Sequence, residues 1–452
     1  MGHELFRTLR AEEEGEWLER CFVAPEGLDR LMGERSVVVF GRPGAGKSAL
    51  CRMVKRQAQE SRHLAVPWSP LETLFLTGEM TLAGQLAEIF DACGLALLEY
   101  LYRFPDFDAL PRWAQLMLQW FIHCFVRGNL YARAGPLLFS PADSTPVKKS
   151  QLPQDMLLAP PRKDLLPPDD YPLILAELSK ALRAAGLNGI WVLVDIGAVE
   201  GEAAAGLLVS LKKLLSALPL FEKGGLAWKF FLPSRLEAGL IEVAGLERRR
   251  LDLFRLEWEK EKLRSIVERR LALAAGLPSL RLEDLCSAPG WLPWLEKVGG
   301  GSPREWLEQV RPVFEYYQAQ PEKRPVDETT WRMLRRKNPP RLHLDAEEEA
   351  LWVGSWEIPL SQIPPKSLDL LRYLYARPNR TVSRQELYFR AYQGLNQIPR
   401  IPTDPGYEFP EEYRSRLDTA LWRLRQAIEP DPDDPVLLRT SRGHGVRLEV
   451  CW

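Results

Sequence analysis

Cysteine and histidine are scarce in this sequence, and neither occurs at the spacing of a metal site. The 452 residues include six cysteines and five histidines, all scattered, and no CxxC pair is present. Structural zinc sites draw their ligands from closely spaced Cys and His residues, so this pattern argues against a zinc centre. Isolated cysteines are also typical of a reducing compartment, which favours a cytoplasmic protein.

Long apolar runs and an excess of charge of one sign are also missing. The most apolar stretch, 113–126, is interrupted by Gln119 and His123, and it is shorter than the ~20 residues that a membrane-spanning helix needs. The N-terminal residues contain no apolar core of signal-peptide type. Because the formal net charge is only −1, any binding to nucleic acid must come from a local basic patch. We expect no membrane contact.

Strand and helix patterns alternate through the first half of the chain. Short apolar runs of buried-strand type occur at 36–40, 64–68, 190–194, 226–232 and 251–256, and helical patterns lie between them. This alternation predicts an α/β domain with a parallel sheet covered by helices. Nine prolines between 136 and 172 predict a long loop or insertion within that domain. We therefore divide the chain into 1–256 with the insertion 136–172, a helical segment 257–337, and a C-terminal domain 338–452.

A glycine-rich turn follows the first predicted strand and matches the pattern G-x-x-x-x-G-K-[ST]. Its glycines allow backbone N–H groups to surround phosphate oxygens, and the next helix directs its positive N-terminus at them. Lys47 would neutralise the terminal phosphates, and the Ser48 hydroxyl would ligate Mg²⁺. The sequence thus predicts a site for ATP and Mg²⁺ formed by Gly41, Arg42, Pro43, Gly44, Ala45, Gly46, Lys47, Ser48 and Ala49.

A second element of such a site is an apolar strand that ends in an aspartate. Ile190–Asp195 provides this pattern, and it predicts Asp195 as a catalytic and Mg²⁺-binding residue beside Lys47. Many hydrolytic proteins of this kind carry Glu or Asp immediately afterwards to polarise water, but Ile196 stands there. Glu200 and Glu202 are nearby at the wrong spacing. We therefore expect slow hydrolysis, which suits a switch better than a motor.

Two further positions could contact phosphate. Ser234-Arg235 follows the strand 226–232, where a polar side chain could sense the γ-phosphate; an ordinary cap between strand and helix is the alternative. Gly300-Gly301-Ser302-Pro303-Arg304 opens a helix in the helical segment, and Arg304 could reach back to the phosphates. A surface arginine at a helix start is the alternative for that residue.

Together these motifs resemble the AAA+/STAND branch of P-loop ATPases, across most of residues 30–315. The resemblance implies that the helical segment is a lid over the nucleotide, and that exchange of ATP for ADP reorients the following domain. It also implies assembly in the ATP state, sometimes with an arginine donated by a neighbouring subunit. Arg248, Arg249 and Arg250 are the residues considered for that role.

Residues 340–452 resemble the winged-helix effector domain of OmpR/PhoB-type response regulators. Three short strands precede a helix at 367–376, and Val382–Leu387 has the capping-box spacing that starts a second helix. The segment 416–430 is similar to that family's recognition helix, and 438–448 is similar to its wing, with Val446 in place of the usual tyrosine. The resemblance implies that the third helix enters the major groove of DNA while the wing contacts the backbone or minor groove.

Helical spacing separates a core face from an outward face in the recognition-like helix. Leu417, Leu421, Leu424 and Ile428 are predicted to be core. The candidate DNA-contacting residues are Arg414, Thr419, Trp422, Arg423 and Gln426 in the helix, and Arg439, Ser441, Arg442 and His444 in the wing. However, residues 338–452 contain 15 Lys and Arg against 17 Asp and Glu, and DNA-binding domains are usually basic. A protein-contact role, to which an outward Trp422 is also suited, therefore stays open.

Three hypotheses follow from the sequence. The first is an ATP-dependent regulator whose nucleotide state controls DNA binding or assembly by the winged helix. The second is a signalling or defence ATPase that oligomerises and recruits a protein partner. The third, a DNA-loading ATPase, is weakened because Ile196 occupies the position of the hydrolytic acid.

Overall fold

The computed structural model describes residues 16–451 apart from several gaps. The residues outside the description are 1–15, 72–79, 104–105, 129–132, 134–165, 168, 198–200, 223–224, 245–250, 346–348, 397, 399–412, 442–444 and 452. Most of the predicted insertion 136–172 therefore lies outside the described residues. The chain forms two compact units, Ala24–Glu257 and Met1–Val23 with Trp258–Trp452.

The first unit is built on a five-stranded parallel sheet, as the alternating pattern predicts. Its strands are β1 (Val37–Gly41), β2 (His63–Trp68), β3 (Gly189–Asp195), β4 (Leu226–Pro233) and β5 (Asp252–Arg255). They lie in the order β2-β3-β4-β1-β5, so β4 separates β1 from β3. Strands covered on both faces are apolar along their length, and β1 and β4 are buried at every position and apolar apart from Lys229.

Helices cover this sheet and complete one hydrophobic core. Phe90, Phe121 and Tyr171 belong to it, with ring centroids 5.5 Å apart for Phe90–Phe121 and 4.6 Å apart for Phe90–Tyr171. Asp170–Ala184 begins within the end of the predicted proline-rich insertion. In this unit the helices are α2 (Leu28–Leu31), α3 (Lys47–Glu60), α4 (Leu82–Arg103), α5 (Arg112–Phe125), α6 (Asp170–Ala184), α7 (Gly201–Glu222) and α8 (Glu237–Ala244).

The second unit begins with a short helix, α1 (Glu16–Cys21), which the sequence analysis had grouped with the nucleotide-binding core. Backbone and side-chain contacts explain its place, because Arg269 donates to the Phe22 carbonyl at 2.8 Å and Arg270 approaches the Cys21 sulfur at 3.9 Å. The helical segment that follows contains α9 (Lys260–Ala275), α10 (Leu282–Leu285), α11 (Trp291–Gly299), α12 (Pro303–Ala319) and α13 (Glu328–Lys337).

A winged-helix arrangement completes the second unit and agrees with the predicted order of elements. An antiparallel sheet is followed by helices and a final hairpin, and the Ser383 hydroxyl accepts the Glu386 N–H at 3.1 Å as the predicted cap. The strands are β6 (Leu342–Asp345), β7 (Ala350–Val353), β8 (Trp356–Pro359), β9 (Leu438–Ser441) and β10 (Gly445–Leu448). The helices are α14 (Pro365–Tyr375), α15 (Arg384–Glu386), which continues as a π-helix over Leu387–Tyr392, and α16 (Tyr413–Ile428).

Candidate nucleotide-binding site and winged-helix surface

The glycine-rich motif forms the turn between β1 and α3. Gly44 and Gly46 have φ angles of 80° and 92°, in the left-handed region that favours glycine. At Gly41 the reason for glycine is different, because a Cβ there would lie 3.1 Å from Cγ of Lys47. The local sequence therefore shapes a loop that is open for close approach by a ligand.

Lys47 is folded back over this loop. Its side chain is buried, with the residue 8% exposed, and Nζ donates to the Gly41 carbonyl at 2.9 Å and to the Arg42 carbonyl at 3.3 Å. Ser48 and Ala49 follow in the first turn of α3. That turn contains no acidic residue, and Gly46 provides no side-chain cap. The positive end of the helix dipole is therefore not neutralised by a carboxylate of its own first turn.

Asp195 ends β3, one strand beyond β4. It lies opposite Phe231, which lies opposite Val39 on β1, so its backbone is about 10 Å from the β1 backbone at a strand spacing of ~4.8 Å. Ile196 follows it and is fully buried, with its N–H bound to the Phe231 carbonyl at 3.0 Å. The position after Asp195 is thus part of the core and presents no acid to solvent.

Ser234 and Arg235 lie in a short 3₁₀ turn (Ser234–Leu236) directly after β4. Since β4 pairs with both β1 and β3, this turn follows the carboxyl edge between the glycine-rich loop and Asp195. Nε and Nη2 of Arg235 are buried and have no hydrogen-bond partner among the described residues. Ser234, the predicted phosphate contact, lies in the same turn, and its role stays a prediction.

Arg304 occupies the first turn of α12, in the second unit, and is partly exposed. A role for it at the phosphates stays a prediction. Next to it, Glu305 is buried, and burial raises the pKa of its carboxyl to about 7, with Glu308 adding to the shift. Arg248, Arg249, Arg250 and Glu200 lie outside the described residues, and Glu202 lies in the first turn of α7.

The recognition-like helix α16 separates core and surface as its spacing predicts. Leu417, Leu421, Leu424 and Ile428 are buried. Trp422 is 58% exposed, an unusual fraction for tryptophan on a helix surface. The exposed candidates are Arg414, Thr419, Trp422, Arg423 and Gln426, while Arg442 and His444 lie outside the described residues.

Two acidic residues shape the surroundings of this helix. Asp418 pairs with Arg384, which joins α16 to α15. Glu429 is fully buried just after α16, and its carboxylate accepts three backbone N–H groups from the segment that leads into β9, at 2.6–3.2 Å. Glu429 therefore fixes the turn from helix to wing, and the acidic residues here have structural roles.

In the wing, the side chain of Arg439 binds other residues of the same chain. Its Nη2 donates to the Arg336 carbonyl, and its Nε lies 3.4 Å from the carboxylate of Glu449, which directly follows β10. Of the predicted wing contacts, Arg439 is thus placed against the helical segment.

Comparison with known proteins yields a partial match only. No protein-family model matches the chain. The chain is 34% identical over 108 residues to the sensory transduction protein RegX3 of Mycobacterium leprae, a match that covers 24% of this chain and 46% of that protein. RegX3 of Mycolicibacterium smegmatis is 33% identical over 108 residues, which cover 24% of this chain and 40% of the relative. The chain thus spans less than half the length of these curated relatives.

Among solved structures, the chain is similar to the Orc1 protein of Aeropyrum pernix in complex with DNA, at 14% identity and a TM-score of 0.36, with 99% of this chain and 93% of that chain covered. The Aeropyrum pernix ORC2 protein in ADPNP–ADP complexes gives 14% identity and a TM-score of 0.35, with 99% and 88% covered. Within the described ranges, none of the helices combines the length and apolarity needed to cross a membrane.

Proposed function

We propose that this protein is a cytoplasmic ATP-dependent switch, in which nucleotide bound at Gly41–Ser48 controls a winged-helix module that binds DNA. The observation that carries the nucleotide site is the strand-turn-helix in which Lys47 is buried against the loop carbonyls of Gly41 and Arg42. A phosphate in the loop offers Lys47 a charged partner in place of neutral carbonyls, and charge-assisted hydrogen bonds are the stronger ones.

The residues around this loop fit a nucleotide with its metal. The buried nitrogens of Arg235 lack partners among the described residues, and an anionic γ-phosphate would satisfy them. The Ser48 hydroxyl and the Asp195 carboxylate are oxygen donors of the kind that Mg²⁺ prefers, and they would hold it. Bound Mg²⁺ would neutralise phosphate charge. Because Ile196 replaces a water-polarising acid, we expect slow hydrolysis and a long-lived ATP state.

A binding titration with a fluorescent ATP analogue tests this site. Lys47→Ala should weaken binding at least 100-fold, whereas Lys55→Ala, a change of the same charge farther along α3, should leave it unaltered. A desolvated charged contact to phosphate supplies about 3 kcal/mol, which corresponds to that factor. Equal affinities for the wild type and Lys47→Ala would reject the nucleotide site.

The exposed face of the winged-helix module has side chains that are suited to DNA binding. Arg414, Arg423 and Gln426 lie outward on α16, where arginine can pair with phosphates or guanine edges and glutamine can pair with adenine. The similarity to sensory transduction proteins over 108 residues is consistent with a signalling regulator. We assign the module to duplex DNA on these grounds.

Protein binding is the second candidate, and Trp422 is the observation that favours it. An exposed tryptophan is typical of the centre of a protein interface, and the module has no net basic charge. In this alternative the ATP state would drive assembly, or recruit a protein partner, through α16.

Fluorescence anisotropy with random duplex DNA separates the two candidates, measured with ATP, ADP or no nucleotide across a salt series. For DNA binding, Arg423→Ala should reduce affinity about tenfold and lower the salt slope by about one. Arg372→Ala, which removes an exposed arginine of α14, is the matched control. Absence of binding at low salt in every nucleotide state would reject DNA and favour a protein partner at Trp422.

A further inference from the structure

The helical segment (α9–α13) and the winged helix meet at two tight turns. One turn joins α11 to α12 and the other joins β7 to β8. The Ser355 N–H donates to the Val298 carbonyl at 2.8 Å across this contact. A Cβ on Gly354 would lie 2.6 Å from the Val298 oxygen, and a Cβ on Gly300 would lie 2.8 Å from the Ser355 oxygen. Both glycines also have left-handed φ angles, of 60° and 46°. Only glycine permits this backbone approach.

A lysine of the same region reaches two parts of the winged helix. Nζ of Lys297 donates to the Pro430 carbonyl at 3.0 Å and lies 4.1 Å from the centre of the Trp356 ring. One side chain of α11 therefore contacts both β8 and the segment after α16, and a sliding motion at the contact would break both interactions.

Arg335 of α13 provides a third contact. It is 4% exposed, and its guanidinium carbon lies 5.0 Å from the ring centre of Trp294 and 4.3 Å from that of Trp331. Its Nη2 donates to Asp431 at 2.9 Å and also to Asp434. Arg336 binds the other oxygen of Asp434. A buried cation held by aromatic faces and carboxylates has few alternative positions.

The apolar residues on either side of these contacts form one continuous cluster. It includes Trp306 and Val310 of α12 together with Leu351 of β7 and Leu371 of α14. Packed cores tend to have discrete arrangements and do not deform continuously. We infer that the helical segment and the winged helix move as a single rigid body, so that nucleotide exchange carries the winged helix and does not release it.

This inference rests on the proposed nucleotide switch only for the origin of the movement. The contacts that Lys297, Val298 and Arg335 make with the winged helix, named the joint from here on, lie within one compact unit. In that unit Trp422 and Arg423 are exposed although the helical segment and the winged helix are in contact. Control of DNA binding would therefore come from where the body is placed and how copies of it are arranged, and not from uncovering of α16 by the helical segment.

Spin-label distance measurements on the full chain test the inference. One label pair joins the helical segment to the winged helix, at the exposed positions Leu277→Cys and Gln385→Cys. A second pair joins the helical segment to the first unit, at Leu277→Cys and the exposed position Leu173→Cys. The native thiols that are at least partly exposed are first replaced by serine, namely Cys51, Cys124 and Cys451.

The first pair should give one unchanged, narrow distance distribution without nucleotide, with ADP and with a slowly hydrolysed ATP analogue, whereas the second pair should shift. A shift in the first pair between ADP and the analogue would overturn the single-body inference. If neither pair shifts although nucleotide binds, the proposed switch fails while the joint stands, so the two failures are distinguishable.

A pair of glycine variants identifies the joint as the cause. Gly354→Ala should broaden the first distribution, because its Cβ meets the Val298 oxygen. Gly394→Ala is the matched control, since Gly394 also has a left-handed φ, of 75°, but has no atom within 4 Å of the added Cβ. Equal distributions for both variants would contradict the role of the turn contact, and retained nucleotide binding shows that the first unit is intact.

Discussion

The proposed nucleotide site and the joint within the second unit differ in how far apart their residues lie along the chain. The loop that would hold phosphate is a run of eight residues, Gly41–Ser48, between one strand and one helix. At the joint, the Arg335–Asp434 pair connects residues 99 positions apart. A local motif can therefore be recognised from consecutive residues of the sequence. A joint of distant residues is visible only once the chain is folded.

Each unit also contains a buried side chain that burial disfavours in its charged form, an acid in one unit and a base in the other. In the second unit Glu305 is a buried acid close to Glu308. In the first unit Lys229 is a fully buried base, whose Nζ donates to the carbonyls of Gly33 and Arg35 at 2.7 and 2.6 Å. Each group is destabilising when charged, so the two units should respond to pH in different ranges and in opposite directions.

The largest effect should follow from breaking the joint at Arg335. Arg335→Ala leaves the buried Asp434 with Arg336 as its remaining hydrogen-bonded cation, and loss of one member of a buried pair costs about 3–5 kcal/mol. Denaturant unfolding should show this loss in the transition of the second unit only, with ATP binding unchanged. Arg332→Ala is the control, because Arg332 is exposed and 3.9 Å from Asp434, and exposed ion pairs contribute little to stability. Equal losses would show that Arg335 has no special role.

Glu429 should rank second. Glu429→Ala leaves the N–H groups of Val436, Leu437 and Leu438 without their acceptor, which should cost about 3 kcal/mol in unfolding of the second unit. Glu429→Gln keeps one carbonyl acceptor and should lose less. If the two variants are equally stable, the carboxylate does not hold the turn into the wing.

Glu305 should give a pH-dependent effect. Its pKa is raised to about 7 by burial, from a usual value near 4.5, so the folded state holds a proton that the unfolded state has released between these values. Stability of the second unit should fall as pH rises from about 4.5 to 7, by about 1–3 kcal/mol. Glu305→Gln should remove this fall, as measured by thermal unfolding at pH 5 and pH 8. The charges of Arg304 and Arg341 lower the pKa of Glu305 and so oppose the shift. An unchanged pH profile in Glu305→Gln would contradict the assignment.

Lys229 provides the smallest expected effect and the opposite sign. Burial lowers its pKa to about 8, so the unfolded state binds the extra proton between pH 8 and 10.5, and stability should rise with pH in that window by about 1–2 kcal/mol. Lys229→Met should flatten the rise in the first unit. Comparing the variant with wild type at pH 7.5 and 9.5 cancels other titrating groups. A rise that persists in the variant would assign it to another residue.

Much of the fold could be predicted from sequence, because its strands and helices have regular apolar spacing. Gly189–Asp195 and Leu226–Pro233 lie within one residue of the predicted strands 190–194 and 226–232. The core face of α16 was also predictable, since Leu417, Leu421 and Leu424 follow the helical repeat. By contrast, α1 was placed with the wrong neighbours by proximity along the chain, since nothing in six residues shows which core they join.

For the candidate site too, the sequence predicts the residues of local motifs but not the contacts that form on folding. Lys47 and Asp195 follow from motif and strand end, but the burial of the guanidinium nitrogens of Arg235 could not be predicted, because it depends on how the chain folds around them. Arg439 was given to DNA, whereas the fold directs it to the Arg336 carbonyl. Both differences arise from contacts between residues far apart in sequence.

The sequence by itself determined the glycine-rich turn, the parallel sheet and the order of the winged-helix elements, because each depends on short-range spacing, on glycine at left-handed positions and on apolar periodicity. Only the tertiary structure decided that the helical segment and the winged helix share one core, and that Gly300 and Gly354 allow their backbones to touch. Such contacts depend on which surfaces meet after folding, and no local pattern of residues records that.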